Sequence, residues 1–155
     1  MNRRAVLVAS GVSLMGARSI GAQTPSSEQA NVDTVRRFYE EFVNALNVDG
    51  ADGIIHPDYE PTTPGNAPGI DAFKARFGDI FQSYGSEFSE FAYIEEQTMA
   101  AGDDVAYRGR FTATSIDGKL LDTPDVVWFR FRDGLILSFW GGTDSGEISR
   151  QLYGF

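Results

Sequence analysis

The chain has 155 residues, 42% of them hydrophobic and 13% aromatic, enough for one domain with a real core and too few for two. A formal net charge of −9 argues against nucleic acid and anionic membrane as partners, because a field of that sign repels both. The absence of cysteine excludes disulfides, thiol catalysis and thiolate metal sites, and the single histidine, His56, excludes a metal centre built on several imidazoles.

The first 22 residues have the layout of a secretory signal peptide. Arg3 and Arg4 precede an apolar stretch from Ala5 to Ala17, and small residues follow at Gly21 and Ala22. That stretch is short for a membrane span, so export to a secreted or periplasmic location is expected, with a stray N-terminal helix as the alternative. The arginine pair is compatible with twin-arginine export. Residues 23–30 read as a flexible linker and residues 31–155 as the folded domain. Beyond residue 22 there is no Gly-x-Ser-x-Gly elbow, phosphate-cradling loop or dinucleotide fingerprint. A Ser-His-Asp triad would have to use His56.

Ser26 and Gln29 stand in capping-box spacing ahead of Val32, Val35, Tyr39, Phe42 and Leu46. Steps of three and four place these apolar residues on one stripe of a long first helix. A short second helix is expected over Ala51 to Ile55. The segment HPDYEPTTPGNAPG, with its prolines and glycines, cannot continue a helix or a central strand. Ile70, Phe73, Phe77, Ile80 and Tyr84 then mark a second long amphipathic helix. After Gly85 the pattern turns to strands over Phe88–Met99, Val105–Ser115, Val126–Arg132 and Leu135–Trp140, separated by Gly/Asp turns. Glu147 to Leu152 reads as a closing helical turn or two. Helices first and antiparallel strands after is an α+β plan, a curved sheet folding over helices.

The last hairpin has an expected register. With Arg132-Asp133-Gly134 as a three-residue loop, Phe131 faces Leu135, Phe129 faces Leu137 and Val127 faces Phe139, all on the core side. Val126, Trp128, Arg130, Ser138 and Trp140 then share the opposite face. Arg108 and Arg110, alternating with Tyr107 and Phe111, are expected to point outward with them.

The order of motifs resembles a known family. NVDTVRRFYEEFVNAL, a short acidic helix, HPDY, a Pro/Gly loop, a phenylalanine-rich helix, AAGDDVAYRGRFTAT, FRFRDGLI, a tryptophan and RQL together resemble the SnoaL-like branch of the nuclear-transport-factor-2-like superfamily. The branch includes polyketide cyclases, and delta-5-3-ketosteroid isomerases share its fold. The resemblance implies a cone-shaped α+β barrel of cystatin-like type, with a pocket for a small hydrophobic molecule and no cofactor. It also implies a homodimer paired through the outer sheet face.

Position by position, the resemblance removes the family's proton-transfer groups. The acid after the DG hairpin falls on Gly141, a polar residue two positions earlier on Phe139, and the ionisable residue of the preceding strand on Val127. The isomerase tyrosine of the first helix falls on Phe42, and the loop base near Thr62 or Thr63. Such a pocket would bind apolar matter through Tyr39, Phe42, Thr62, Phe73, Phe77, Tyr93, Tyr107, Val127, Phe129, Phe139 and Gly141, without the usual acid-base chemistry.

Three residues keep a catalytic reading open. His56 is a candidate proton carrier and Tyr59 a hydrogen-bond donor, unless His56-Pro57 merely ends a helix and Tyr59 packs under the loop. Asp144, after two glycines, stands either at the pocket rim or at the start of the closing helix as its cap. The leading expectation is an exported binding protein for a small aromatic or polycyclic molecule. The alternatives are an isomerase, cyclase or lyase using His56, Tyr59 and Asp144, or an interaction module presenting its outer sheet face.

Overall fold

The computed structural model describes residues 27–154. The expected signal peptide, residues 23–26 of the linker and the capping residue Ser26 lie outside that range. Helix α1 runs over Ser27–Arg37, so residues 27–30, expected in the linker, form its first turn. The helix continues as a π-helical turn over Phe38–Val43, in which the Asn44 N–H reaches back to the Tyr39 carbonyl at 2.8 Å. Phe38, Tyr39, Phe42 and Val43 are all buried, at three, four, seven and eight residues after the buried Val35, the spacing of a core-facing helical stripe.

The short helix expected over Ala51 to Ile55 is instead a 3₁₀ turn at Val48–Ala51. Ile54, in the turn that follows, and Ile55 are fully buried, and Ile55 forms a parallel bridge with Ile136. The β-branched side chain of Ile55 suits that pleated position better than a helix end. Helix α2 covers Ile70–Glu87 and buries Phe73 and Phe81.

Four strands follow: β1 (Phe88–Ala101), β2 (Asp104–Ser115), β3 (Leu120–Arg132) and β4 (Leu135–Thr143). They pair antiparallel in chain order as one curled, unclosed sheet. Register shifts in β1, between Phe88 and Glu90 and between Glu95 and Gln97, sharpen the twist that curls it. The π turn of α1 packs on the concave face, its Phe38 and Tyr39 rings against Phe129 of β3. The principal core joins Val35, Phe42, Ile54, Phe73, Val105 and Phe129. A smaller cluster at the other end of the sheet holds Phe88, Phe111 and Leu121 under Leu152 of helix α3 (Ser145–Tyr153). The α+β plan read from the pattern, and the cone that the resemblance implies, are the observed architecture.

The hairpin register differs from expectation. Arg132 pairs with Leu135, leaving Asp133 and Gly134 as a two-residue turn with φ of 52° and 75°. Two left-handed residues are what a turn matched to right-handed strand twist requires. A bulge then intervenes, because Phe131 pairs with Ile136 while Arg130 pairs with Ser138. Leu137 is the extra residue, so Ile136 and Leu137 are both buried. Beyond the bulge Phe129 faces Phe139 and Val127 faces Gly141. The inward parity of β3 holds while its partners on β4 move.

Candidate functional site

Strand β3 alternates without a break. Leu121, Thr123, Asp125, Val127, Phe129 and Phe131 are buried, and the residues between them are exposed. This parity carries a carboxylate into the concave face, where Asp125 is 1% exposed. The Tyr39 hydroxyl, aimed by the π turn, donates to Asp125 Oδ2 at 2.8 Å. Thr143 at the end of β4 donates to Oδ1 at 3.1 Å. Thr143 Oγ1 is also 3.4 Å from the Tyr93 hydroxyl, which lies 2.9 Å from that of Tyr84. With Asp125 ionised, every hydroxyl of this chain can turn its proton toward the carboxylate. With Asp125 protonated, the same chain can run the other way.

Burial pushes the Asp125 carboxyl above the ordinary 3.8, and the hydrogen bonds from Tyr39 and Thr143 offset only part of that. Burial, and then the nearby Asp125 charge, raise the Tyr39 phenol well above 10.0. Burial likewise raises Tyr93 and Tyr107. These phenols therefore remain protonated donors at neutral pH. The Tyr39 ring is held by stacking on Tyr107, with centroids 4.2 Å apart.

Asp125 faces a cavity of about 120 Å³ walled by Phe38, Tyr39, Phe77, Tyr93, Val127 and Phe139. An engineered apolar cavity of about 150 Å³ holds benzene, so this space suits roughly one ring. The wall is completed by Val43 and by Gly141, Gly142 and Thr143. Gly141 has φ of 109°, and a Cβ there would overlap the Val126 carbonyl oxygen. Only glycine lets β4 pass so close to β3 and still return Thr143 to Asp125. A larger groove of about 890 Å³ crosses the sheet rim past Glu60, Thr62, Trp128, Arg130 and Trp140, but no buried acid lines it.

The residues proposed from sequence divide among several places. Tyr39, Phe77, Tyr93, Val127, Phe139 and Gly141 line the cavity. Phe42, Phe73 and Phe129 are core residues behind it, and Tyr107 supports Tyr39 from behind. Thr62 lies on the larger groove and donates to the Phe139 carbonyl at 2.7 Å.

The three catalytic candidates are not brought together. His56 Nδ1 accepts from the Asp58 N–H at 3.0 Å, a local turn contact. Tyr59 is 2% exposed, with its ring packed on Phe73 and Phe139. Asp144 caps α3, accepting from the N–H groups of Gly146 and Glu147 at 2.9 and 3.1 Å. Among the described residues no group of three or more His, Asp or Glu is placed to hold a metal ion.

Asp125 corrects the expectation of a cavity without an acid. It stands two residues before Val127 on the same face of the same strand, so the cavity holds an acid one inward step from the position where none was expected. Likewise Tyr39, one turn before Phe42, is the tyrosine that reaches the acid. The sequence signal was available: continuing the inward parity of β3 through Pro124 places Asp125 inside. Starting that strand at Val126 hid it.

Solved structures share this frame. A SnoaL-like polyketide cyclase candidate from Jannaschia sp. CCS1 is 23% identical, with a TM-score of 0.67 over 84% of this chain and 96% of that one. A polyketide cyclase candidate from Acidithiobacillus ferrooxidans is 20% identical, with a TM-score of 0.69 over 88% and 98%. IdmH, a polyketide cyclase candidate from Streptomyces antibioticus, is 21% identical, with a TM-score of 0.64 over 79% and 97%. No curated protein sequence matches. The SnoaL-like domain model matches residues 35–139, from the buried face of α1 to the cavity wall on β4, and with that span this chain belongs to the SnoaL-like domain family.

Proposed function

We propose that this protein takes one ring of a small, mainly apolar carbonyl or phenolic compound into the cavity and that Asp125 exchanges a proton with it. The observation that carries this reading is a buried carboxyl, held above its ordinary pKa in an aromatic cavity and gripped by Tyr39 and Thr143. A carboxyl of that kind is a stronger base when ionised and a ready acid when protonated. The reaction class is isomerase, cyclase or lyase without a cofactor. Asp125 removes a proton from carbon beside the carbonyl, the C–H electron pair moves toward oxygen as an enolate, and the acid formed returns the proton at carbon. No other reactant is consumed. The polyketide cyclase candidates among the structural neighbours support the same class. His56, Tyr59 and Asp144 have no part in it.

The test is deuterium uptake from D₂O by 2-tetralone, followed by NMR. Asp125→Asn should lower the catalysed rate about a hundredfold or more, the size of a lost general acid-base. Equal rates for wild type and variant would sink the proposal. A second reading, a receptor without turnover, is favoured by the fact that both Asp125 oxygens already accept hydrogen bonds. Recovery of an unchanged apolar compound with the purified protein, together with no exchange, would select it.

Two further elements of the proposal concern context. The outer sheet face, with Val126 55%, Trp128 49% and Trp140 72% exposed, supports pairing of two copies there. The N-terminal pattern of arginines, apolar stretch and small residues supports export.

A further inference from the structure

Every described arginine and lysine but one has a carboxylate within 4.0 Å. The exception is Arg76 on α2. Its guanidinium lies over two aromatic rings, 5.1 Å from the centroid of Phe77 and 5.9 Å from that of Phe73. Its Nε is buried and without a hydrogen-bond partner. It also stands beside the Tyr59 hydroxyl, whose pKa burial raises and Arg76 draws back.

Arg76 does not itself line the cavity but lies over a ring that does. Phe77 is a cavity wall, and Tyr59 packs against Phe139, the wall facing it, with centroids 5.9 Å apart. Phe77 and Phe139 are themselves 6.4 Å apart. Arg76 therefore stands one ring away from the space that Asp125 faces. In a chain with 22 acidic residues, a guanidinium with no acid beside it and one N–H turned from water is an unfilled donor set. Its planar fork matches a carboxylate bidentately.

We propose that Arg76 receives the carboxylate of the ligand, so that the compound is an aromatic or polycyclic carboxylic acid whose ring enters the cavity. The inference rests on the ring-binding reading above and adds the ligand's charge. Burial at Asp125 shifts it toward its neutral form, which weakens the repulsion such an anion would meet in the cavity. The surrounding acidic surface would otherwise exclude anions, which makes Arg76, the one cation among the described residues without a carboxylate partner, the determinant of whether they bind.

The full chain is titrated with 2-naphthoate and with the neutral 2-naphthamide by isothermal calorimetry, for wild type, Arg76→Gln and Arg76→Lys. Wild type should favour the carboxylate about tenfold or more, the size of a charge-assisted hydrogen-bonded pair. Arg76→Gln should abolish that preference and leave the amide affinity within about twofold, and Arg76→Lys should keep part of it. Unchanged thermal melting of the variants certifies the fold. An amide that binds as well as the acid to wild type overturns the role of Arg76 alone, as does an Arg76→Gln that weakens both probes equally. Binding of neither probe overturns the cavity reading and this inference with it.

Discussion

Asp125 is one of very few buried charged or polar groups, and its proton affinity links the site to stability. Its folded pKa lies above the unfolded value, so the folded protein holds this proton more tightly. The stabilisation is complete below pH 3.8 and is lost as pH rises through the raised folded value. Glu41, Glu95, Asp104 and Asp117 are shifted downward by their partners and act in the opposite sense. The measurement is therefore a difference. Wild-type minus Asp125→Asn stability, from urea melts, should fall as pH increases above 3.8, and a flat difference would contradict the assignment. Tyr39→Phe removes a donor that favours the ionised form, so the Asp125 pKa should rise further, readable by carboxyl carbon NMR. None of the composition or motif arguments pointed to this residue. The strand was expected to begin at Val126, whereas it begins at Leu120 and its parity continues through Pro124.

Elements were largely legible because their periods are long and clean; what failed was local geometry. The π turn cannot be told from an α-helix by apolar spacing, and the hydroxyl that meets the acid belongs to Tyr39 within it. The hairpin was misread by one residue at the turn, and the bulge at Leu137 restored the buried face. Asp144, ambiguous in sequence, is a cap. Asp144→Ala should cost about 1 kcal/mol in urea unfolding while leaving ring binding unchanged. Gly141→Ala should be worse on both counts. A positive φ of 109° with a backbone overlap at Val126 implies a loss of about 1–3 kcal/mol and a displaced Thr143. Stability and probe affinity measured on the same samples would separate the two variants.

At the scale of the molecule, the order of helices and strands was enough to foretell the curled sheet, since an apolar concave face needs helices to cover it. The cavity was not readable in the same way, because it depends on how tightly the sheet curls and on two glycines set against β3. The outward face carries Trp128 directly opposite Trp140, the two residues 49% and 72% exposed. Trp128→Glu with Trp140→Glu should convert a dimer to a monomer in sedimentation velocity with unchanged circular dichroism. A wild type already monomeric at high concentration would refute pairing by that face.

The row of hydroxyls from Thr143 through Tyr93 to Tyr84 ends at a side chain that water partly reaches. A compound seated like a cork among Phe38, Phe77 and Phe139 would block the direct approach of water to Asp125, but not this second exit. On the proposed function, hydrogen ions would be handed between the carboxyl and bulk water behind the guest, and the acid would be reset while the cavity is still full.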